Sequence, residues 1–221
     1  MPLDHHSGVF HQPHWLQGAD GALTELASSI DWQAERRPMH NRMVDVPRLS
    51  ARVPTTVAHQ HPTLAKIVDL VAAALGVDGP LGPDFEHIGL NLYRNGQDSV
   101  APHRDRLGRF REWSVVALVS LGGPRTLRLR PWRGHQQHRR AEASQTHAFS
   151  LSSGDLFVMA GACQRDWEHG IAKTRRGATR ISIGLRTRQF PHGPLFPHKG
   201  VTPWRPAQKL ECVRGHFGGL L

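Results

Sequence analysis

Apolar positions along the chain change period near residue 86, and the change separates a helical part from a strand-rich part. Before it, Leu23, Leu26, Ala27 and Ile30 recur at the spacing of one helix face, with Asp20 placed to cap the first turn. Residues 31–60 hold Trp32, several arginines and Pro47-Arg48, and read as irregular segments and short hairpins. Leu64, Ile67, Val68, Val71 and Leu75 predict a second helix, entered at Pro62 and ended by Gly76. From there the period is two. Ile88, Leu90 and Leu92 alternate with Gly89, Asn91 and Tyr93, and 114–121 is an almost continuous apolar run. Leu127 and Leu129 alternate with Arg128 and Arg130, and strands over 147–151, 155–160 and 179–187 follow, divided by turns that contain glycine.

Helices first and many short strands after predict an α+β, mainly β fold: an antiparallel barrel or double-sheet jelly roll with supporting helices outside. The expected division is a loose extension over 1–19, rich in His and Pro, one domain over 20–189, and a Pro-rich tail over 190–221 that packs on it. A chain of 221 residues can bury a core without disulfide staples. No stretch approaches the ~18 apolar residues of a membrane span, and the first residues show no secretory pattern. Cys163 and Cys212 are the only cysteines, so no disulfide framework is implied. The expectation is a cytoplasmic monomer with no membrane partner.

Charge adds a class of partner. Lys and Arg number 28 against 18 acids, a net charge of +10. Between Arg104 and Arg140 there are ten arginines and two acids, Asp105 and Glu112. That balance favours polyanions, nucleic acid first among them.

The chemistry-bearing residues lie in the strand-rich half. His103-Arg104-Asp105 is followed by His169, and then by Arg180, Ser182 and Arg186. Two histidines and one carboxylate can hold Fe(II) on one face and leave positions open for O2 and a co-substrate. In the strand over 179–187, Ile181, Ile183 and Leu185 point one way, while Arg180, Ser182, Gly184 and Arg186 point the other. Inward arginines are costly unless paired with anions, and the guanidinium fork matches a carboxylate. A bound dicarboxylate meets both conditions. Asn91 and Tyr93 share a face of the preceding strand and can complete its pocket. Glu168 points away from His169 and reads as an outer residue. The tail residues His192, His198, Cys212 and His216 fit no tight zinc spacing.

Asn91-Leu92-Tyr93, His103-x-Asp105, Gly154-Asp155, Trp167-Glu168-His169-Gly170 and Arg180-x-Ser182-x-x-x-Arg186, in that order, resemble the AlkB family of Fe(II)/2-oxoglutarate dioxygenases in its bacterial form. The resemblance covers about residues 30–188 and includes Pro47-Arg48-Leu49. It implies a double-stranded β-helix, with His103, Asp105 and His169 as iron ligands. Asn91, Tyr93, Arg180, Ser182 and Arg186 would hold 2-oxoglutarate, Arg180 and Tyr93 at its distal carboxylate and Arg186 nearer the iron-chelating end. The implied activity is oxidative demethylation of N-alkylated bases in DNA or RNA, releasing succinate, CO2 and formaldehyde. Base access requires flipping or a single strand, and Arg48, Arg104 and Arg106 would meet phosphates.

The chain departs from the family pattern where substrate is read. Ser182 stands where Asn is usual. Arg106-Leu107-Gly108 replaces an acidic base contact, and Ala51-Arg52-Val53 replaces a stacking aromatic. Trp32, Trp113 or Trp167 could supply stacking in its place, though each reads first as core. A duplex wedge would lie near residues 36–46, which include Arg36, Arg37, Met39 and Met43. Two other functions fit the same residues: 2-oxoglutarate-dependent oxidation of tRNA, protein or a small molecule, and nucleic-acid binding by a decayed enzyme.

Overall fold

A computed structural model of the chain describes residues 1–39, 41–76, 85–105, 113–132 and 145–187. Eleven strands and four helices are assigned among them. The strands are β1 (Ser7–Gln12), β2 (Gln33–Met39), β3 (Arg42–Val53), β4 (Phe85–Tyr93), β5 (Val100–His103), β6 (Ser114–Gly122), β7 (Arg125–Pro131), β8 (His147–Leu151), β9 (Leu156–Gly161), β10 (Trp167–Ile171) and β11 (Arg180–Thr187). The helices are α1 (Ala19–Ser29), α2 (Thr55–Ala58), α3 (Pro62–Leu75) and α4 (Cys163–Asp166).

Two antiparallel sheets face each other. The larger runs β1-β9-β6-β11-β4-β3-β2 and the smaller β5-β10-β7-β8. Alternation along each strand divides the apolar residues between two cores. Ile88, Leu90, Val119, Leu121, Ile181, Ile183 and Leu185 pack outward against the stripe of α3 and against Leu26 of α1. Leu118, Leu127, Leu129, Leu151, Phe157 and Met159 fill the space between the sheets. The jelly roll expected from the shift to period two is the architecture found. The long apolar run of β6 is explained as well, because that strand is covered on both faces.

α3 forms as its sequence directs, with Pro62 in the first turn and Gly76 closing it in the left-handed region at φ 65°. α1 does not. Gly18 occupies its N-cap with no side-chain bond, and Asp20 instead accepts a hydrogen bond from Ser153 Oγ at 3.0 Å, tying the helix to the β8–β9 turn.

Two segments differ more. Residues 1–19 are not a loose extension: β1 pairs with β9 from Ser7↔Gly161 to Gln12↔Leu156 and completes the edge of the larger sheet. Its Val9 enters the core between the sheets, and Phe10 packs against the helix-side core. Asp155 secures it by accepting from the His14 amide at 3.0 Å and lying 2.9 Å from His11 Nε2. Within residues 31–60 the expected hairpin is found as β2–β3, and the short helix α2, which was not expected, follows it. The 190–221 tail, with its five prolines, lies outside the described residues.

Candidate metal centre and co-substrate site

Strand pairing brings the distant residues together. His169 is the direct partner of His103 across the β10–β5 ladder, although 66 residues separate them. Their rings lie 4.3 Å apart between centroids. Asp105 follows two residues beyond His103, and its Oδ1 is 3.7 Å from His103 Nε2. Ligand atoms of His103, Asp105 and His169 all lie within 4.8 Å of one another, close enough to hold one metal ion.

Neighbouring groups prepare these side chains for a cation. His103 Nδ1 is 3.0 Å from the Ala101 carbonyl, which can only accept, so Nδ1 carries a proton and Nε2 is the nitrogen left to serve as a ligand. Burial pushes His169 down to about 3, with His103 adding to the effect, so its imidazole is neutral as a ligand must be. Burial alone would raise the Asp105 carboxyl, but Arg186 overrides it and holds Asp105 well below the usual carboxylate range. Arg186 grips Asp105 with both prongs, Nε to Oδ2 at 2.9 Å and Nη2 to Oδ1 at 3.1 Å. Each carboxylate oxygen has a second lone pair, so the grip leaves Asp105 able to bind metal. Two facing glycines make the slot for Arg186. A Cβ on Gly184 would come to 3.2 Å from Arg186 Nη1, and one on its ladder partner Gly89 to 3.1 Å.

The second half of the site sits on β4 and β11. Tyr93 pairs with Arg180, and Asn91 with Ser182, so all four side chains share the inner face. On the other side of β11, Ser182 pairs with Ser120 of β6. Arg180 is fully buried. Its Nη2 donates to Ser120 Oγ at 2.8 Å, while Nε and Nη1 are buried with no hydrogen-bond partner. Burial works against this cation, and no carboxylate pairs with it among the described residues. An anion that accepted from Nε and Nη1 would satisfy it. The donor set therefore fits a carboxylate co-substrate, as the His-Asp-His cluster fits Fe(II).

Several supporting residues carried no signal in the sequence. Gln164 of α4 is completely buried, and its Oε1 accepts the Asp105 amide at 3.0 Å. Ser120 was legible in principle as a hydroxyl inside an apolar strand. Arg125 donates to the carbonyls of Asn95, Asp98 and Ala172 at 3.2, 2.8 and 2.7 Å, and its guanidinium lies 5.5 Å from the Tyr93 ring.

The residues expected at phosphates sit differently. Arg48 donates to Asn91 Oδ1 at 2.7 Å, inside the site. Arg104 stacks on Trp132, 3.3 Å from the ring centroid, and donates to the Arg165 carbonyl at 3.0 Å. Arg106 lies outside the described residues, with Leu107 and Gly108. Glu168 faces outward, paired with Arg130 at 2.9 Å. Trp167 is core, its indole donating to Asp4 at 2.7 Å. Trp32 and Trp113 are half-buried. Cys163 is buried, and burial pushes its thiol up to about 12.

A family model described as the 2OG-Fe(II) oxygenase superfamily matches residues 10–189. Human alpha-ketoglutarate-dependent dioxygenase alkB homolog 3 is 25% identical over 201 residues, covering 86% of this chain and 66% of that protein. The Arabidopsis thaliana DNA oxidative demethylase ALKBH2 is 27% identical over 140 residues, 57% of this chain and 43% of the relative. The chain thus spans less than two thirds of the length of these relatives. Among solved structures, OsALKBH1 superposes with a TM-score of 0.53 at 12% identity, covering 81% of this chain and 98% of its own, a likeness of fold.

Proposed function

The chain belongs to the 2OG-Fe(II) oxygenase superfamily and is AlkB-like in sequence, and from that premise we propose that it oxidatively demethylates N-alkylated nucleobases in DNA or RNA. One observation supports the co-substrate half of the reading above others: a fully buried Arg180 with two unpartnered donors, on the strand whose Arg186 grips Asp105 of the metal cluster. For the substrate, support comes from the two AlkB homologues, one of them described as a DNA oxidative demethylase, and from the excess of basic residues.

His103, Asp105 and His169 would hold Fe(II), which with 2-oxoglutarate and O2 supplies an oxidant that hydroxylates the N-methyl carbon. Every other task falls to the chain. Arg180 and Tyr93 would take the distal carboxylate of the co-substrate, with Ser182 beside them. Arg186 keeps Asp105 ionised and oriented, and Asn91 would donate from its amide. Leu118, Leu129 and Met159 of the core between the sheets would form an apolar wall limiting water at the reacting centre. The hydroxylated methyl then leaves as formaldehyde, which restores the base.

The test is incubation of Fe(II)-loaded protein with 2-oxoglutarate, O2 and a methylated single-stranded oligonucleotide, reading succinate and formaldehyde. Formaldehyde that requires the methyl group and disappears in His103→Ala is the expected result. Succinate with no formaldehyde on any methylated oligonucleotide would replace the nucleobase by another substrate. Neither product, with iron bound, would favour a nucleic-acid-binding role.

A further inference from the structure

Arg48 belongs to the family-like Pro47-Arg48-Leu49 element and is half-buried, with its head group bonded within the site. It projects from β3 on the same face as Ser50, whose ladder partner is Asn91. Its Nε donates to Asn91 Oδ1 at 2.7 Å, and its Nη1 lies 3.4 Å from the Ser99 carbonyl.

The chemistry of this contact decides which way Asn91 faces. A guanidinium has donors only. The Asn91 atom against Arg48 must therefore be the amide oxygen, since the nitrogen would set donor against donor. With Oδ1 held, the Nδ2 donors are directed elsewhere. Asn91 is in register with Ser182, and the neighbouring inner-face row is Tyr93 and Arg180. A carboxylate there needs donors, and an Asn91 that offered its oxygen would repel it. Arg48 also places a positive charge near Tyr93, of the sign that attracts an anion.

We propose that Arg48 is a positioning residue of the co-substrate site: it fixes the Asn91 amide so that the nitrogen is presented to 2-oxoglutarate. This rests on the reading above that Asn91 binds the co-substrate. It gives Arg48 a task other than a phosphate contact, and it gives a reason for an arginine, because a neutral Gln there could accept from Nδ2 and let the amide turn.

The experiment measures the Kd of 2-oxoglutarate by calorimetry on Mn(II)-loaded full-length protein, where no turnover occurs. The variants are Arg48→Ala, Arg48→Lys, Asn91→Ala and the Arg48→Ala/Asn91→Ala double. Asn91→Ala and Arg48→Ala should each weaken binding about tenfold, as for a hydrogen bond to a charged group. The double variant should be little worse than either single, because both remove one contact. Lysine, still a donor, should restore most of the affinity, which loss of packing alone would not allow. Binding of an unmethylated single-stranded oligonucleotide should keep its salt slope in Arg48→Ala. The proposal is overturned if Asn91→Ala weakens binding and Arg48→Ala does not, or if the two effects add in full. It is also overturned if Arg48→Ala leaves the co-substrate Kd unchanged and flattens the salt slope by about 0.7, the mark of one lost phosphate contact. An unchanged Kd in Asn91→Ala would overturn the reading beneath it, a result distinct from a failure of Arg48 alone.

Discussion

Arg180 is a cation in a place where cations are costly, and the cost has a measurable consequence. It is fully buried, with Ser120 satisfying one nitrogen and two others left without a partner. Arg180→Met should therefore raise the stability of the co-substrate-free protein, by about 1–3 kcal/mol. The same change should abolish stabilisation by 2-oxoglutarate, which in the Mn(II)-loaded parent reaches about 2.7 kcal/mol at a hundred times Kd. Thermal melts with and without 2-oxoglutarate check both arms, and a variant that melts lower and still responds would refute the assignment. Asp98 is the opposite case, a buried carboxylate with ample donors. It accepts from Arg94 Nε, Nη2 and backbone N at 2.8 to 2.9 Å, and those bonds hold its carboxyl below the ordinary value. A carboxyl lowered by folding contributes stability that is complete above its unfolded value near 3.9 and is lost as pH falls below it. Asp98→Asn should cost about 1–3 kcal/mol at pH 7. The gap to the parent, followed by urea denaturation, should narrow as pH falls below the unfolded value and through the lowered one at which the folded carboxyl protonates. The metal cluster and the arginine strand were legible at this scale because the pattern of residues two apart fixes which side chains share a face. Gln164 and the Arg48–Asn91 bond were not, since each depends on a contact between elements far apart in sequence.

At the scale of elements, the departure from expectation is concentrated in β1. Its residues 7–12 read Ser-Gly-Val-Phe-His-Gln, with only two large apolar positions. Those two go to different cores, Val9 inward and Phe10 to the helix side, so no one-sided periodicity exists to be read. The strand is specified instead by pairing with β9, about 150 residues later in the chain, and local pattern carries no information about such a partner. For β2–β3 a hairpin was legible but its strand bounds were not, because arginines alternate over a half-exposed surface. α3 and the β4–β11 framework were readable because each buries one continuous apolar face. If β1 is part of the fold, removing residues 1–12 should do more than trim a terminus. β9 would become an unpaired edge, and Asp155 would lose His11. The expected outcome is a drop in melting temperature of several degrees with greater aggregation, measured by calorimetry and light scattering. A truncated protein that melts with the parent would restore the loose-extension view.

At the scale of the whole molecule, charge bears on how a nucleic acid would be held. The chain carries +10, but much of the described arginine is already engaged. Arg36 pairs with Asp45, Arg37 with Glu35, Arg94 with Asp98 and Arg130 with Glu168. Arg48, Arg125, Arg180 and Arg186 are tied into the site and its supports. On the hairpin that flanks the site, Arg42 and Arg52 are exposed, and Arg52 shares the face of Arg48 and Ser50 by its two-residue spacing. Those two would meet a strand that ran along the hairpin. Reversing both, with Arg42→Glu and Arg52→Glu, should weaken single-stranded oligonucleotide binding and flatten the plot of log affinity against log salt by about 1.4, at about 0.7 per phosphate. The Kd of 2-oxoglutarate should stay where it was, because neither residue belongs to the strands that carry its proposed ligands, β4 and β11. Fluorescence anisotropy across a salt series reads the slope. A slope unmoved by the double reversal would place the nucleic-acid contacts on a different face of the jelly roll, and the hairpin would then have no part in holding the strand.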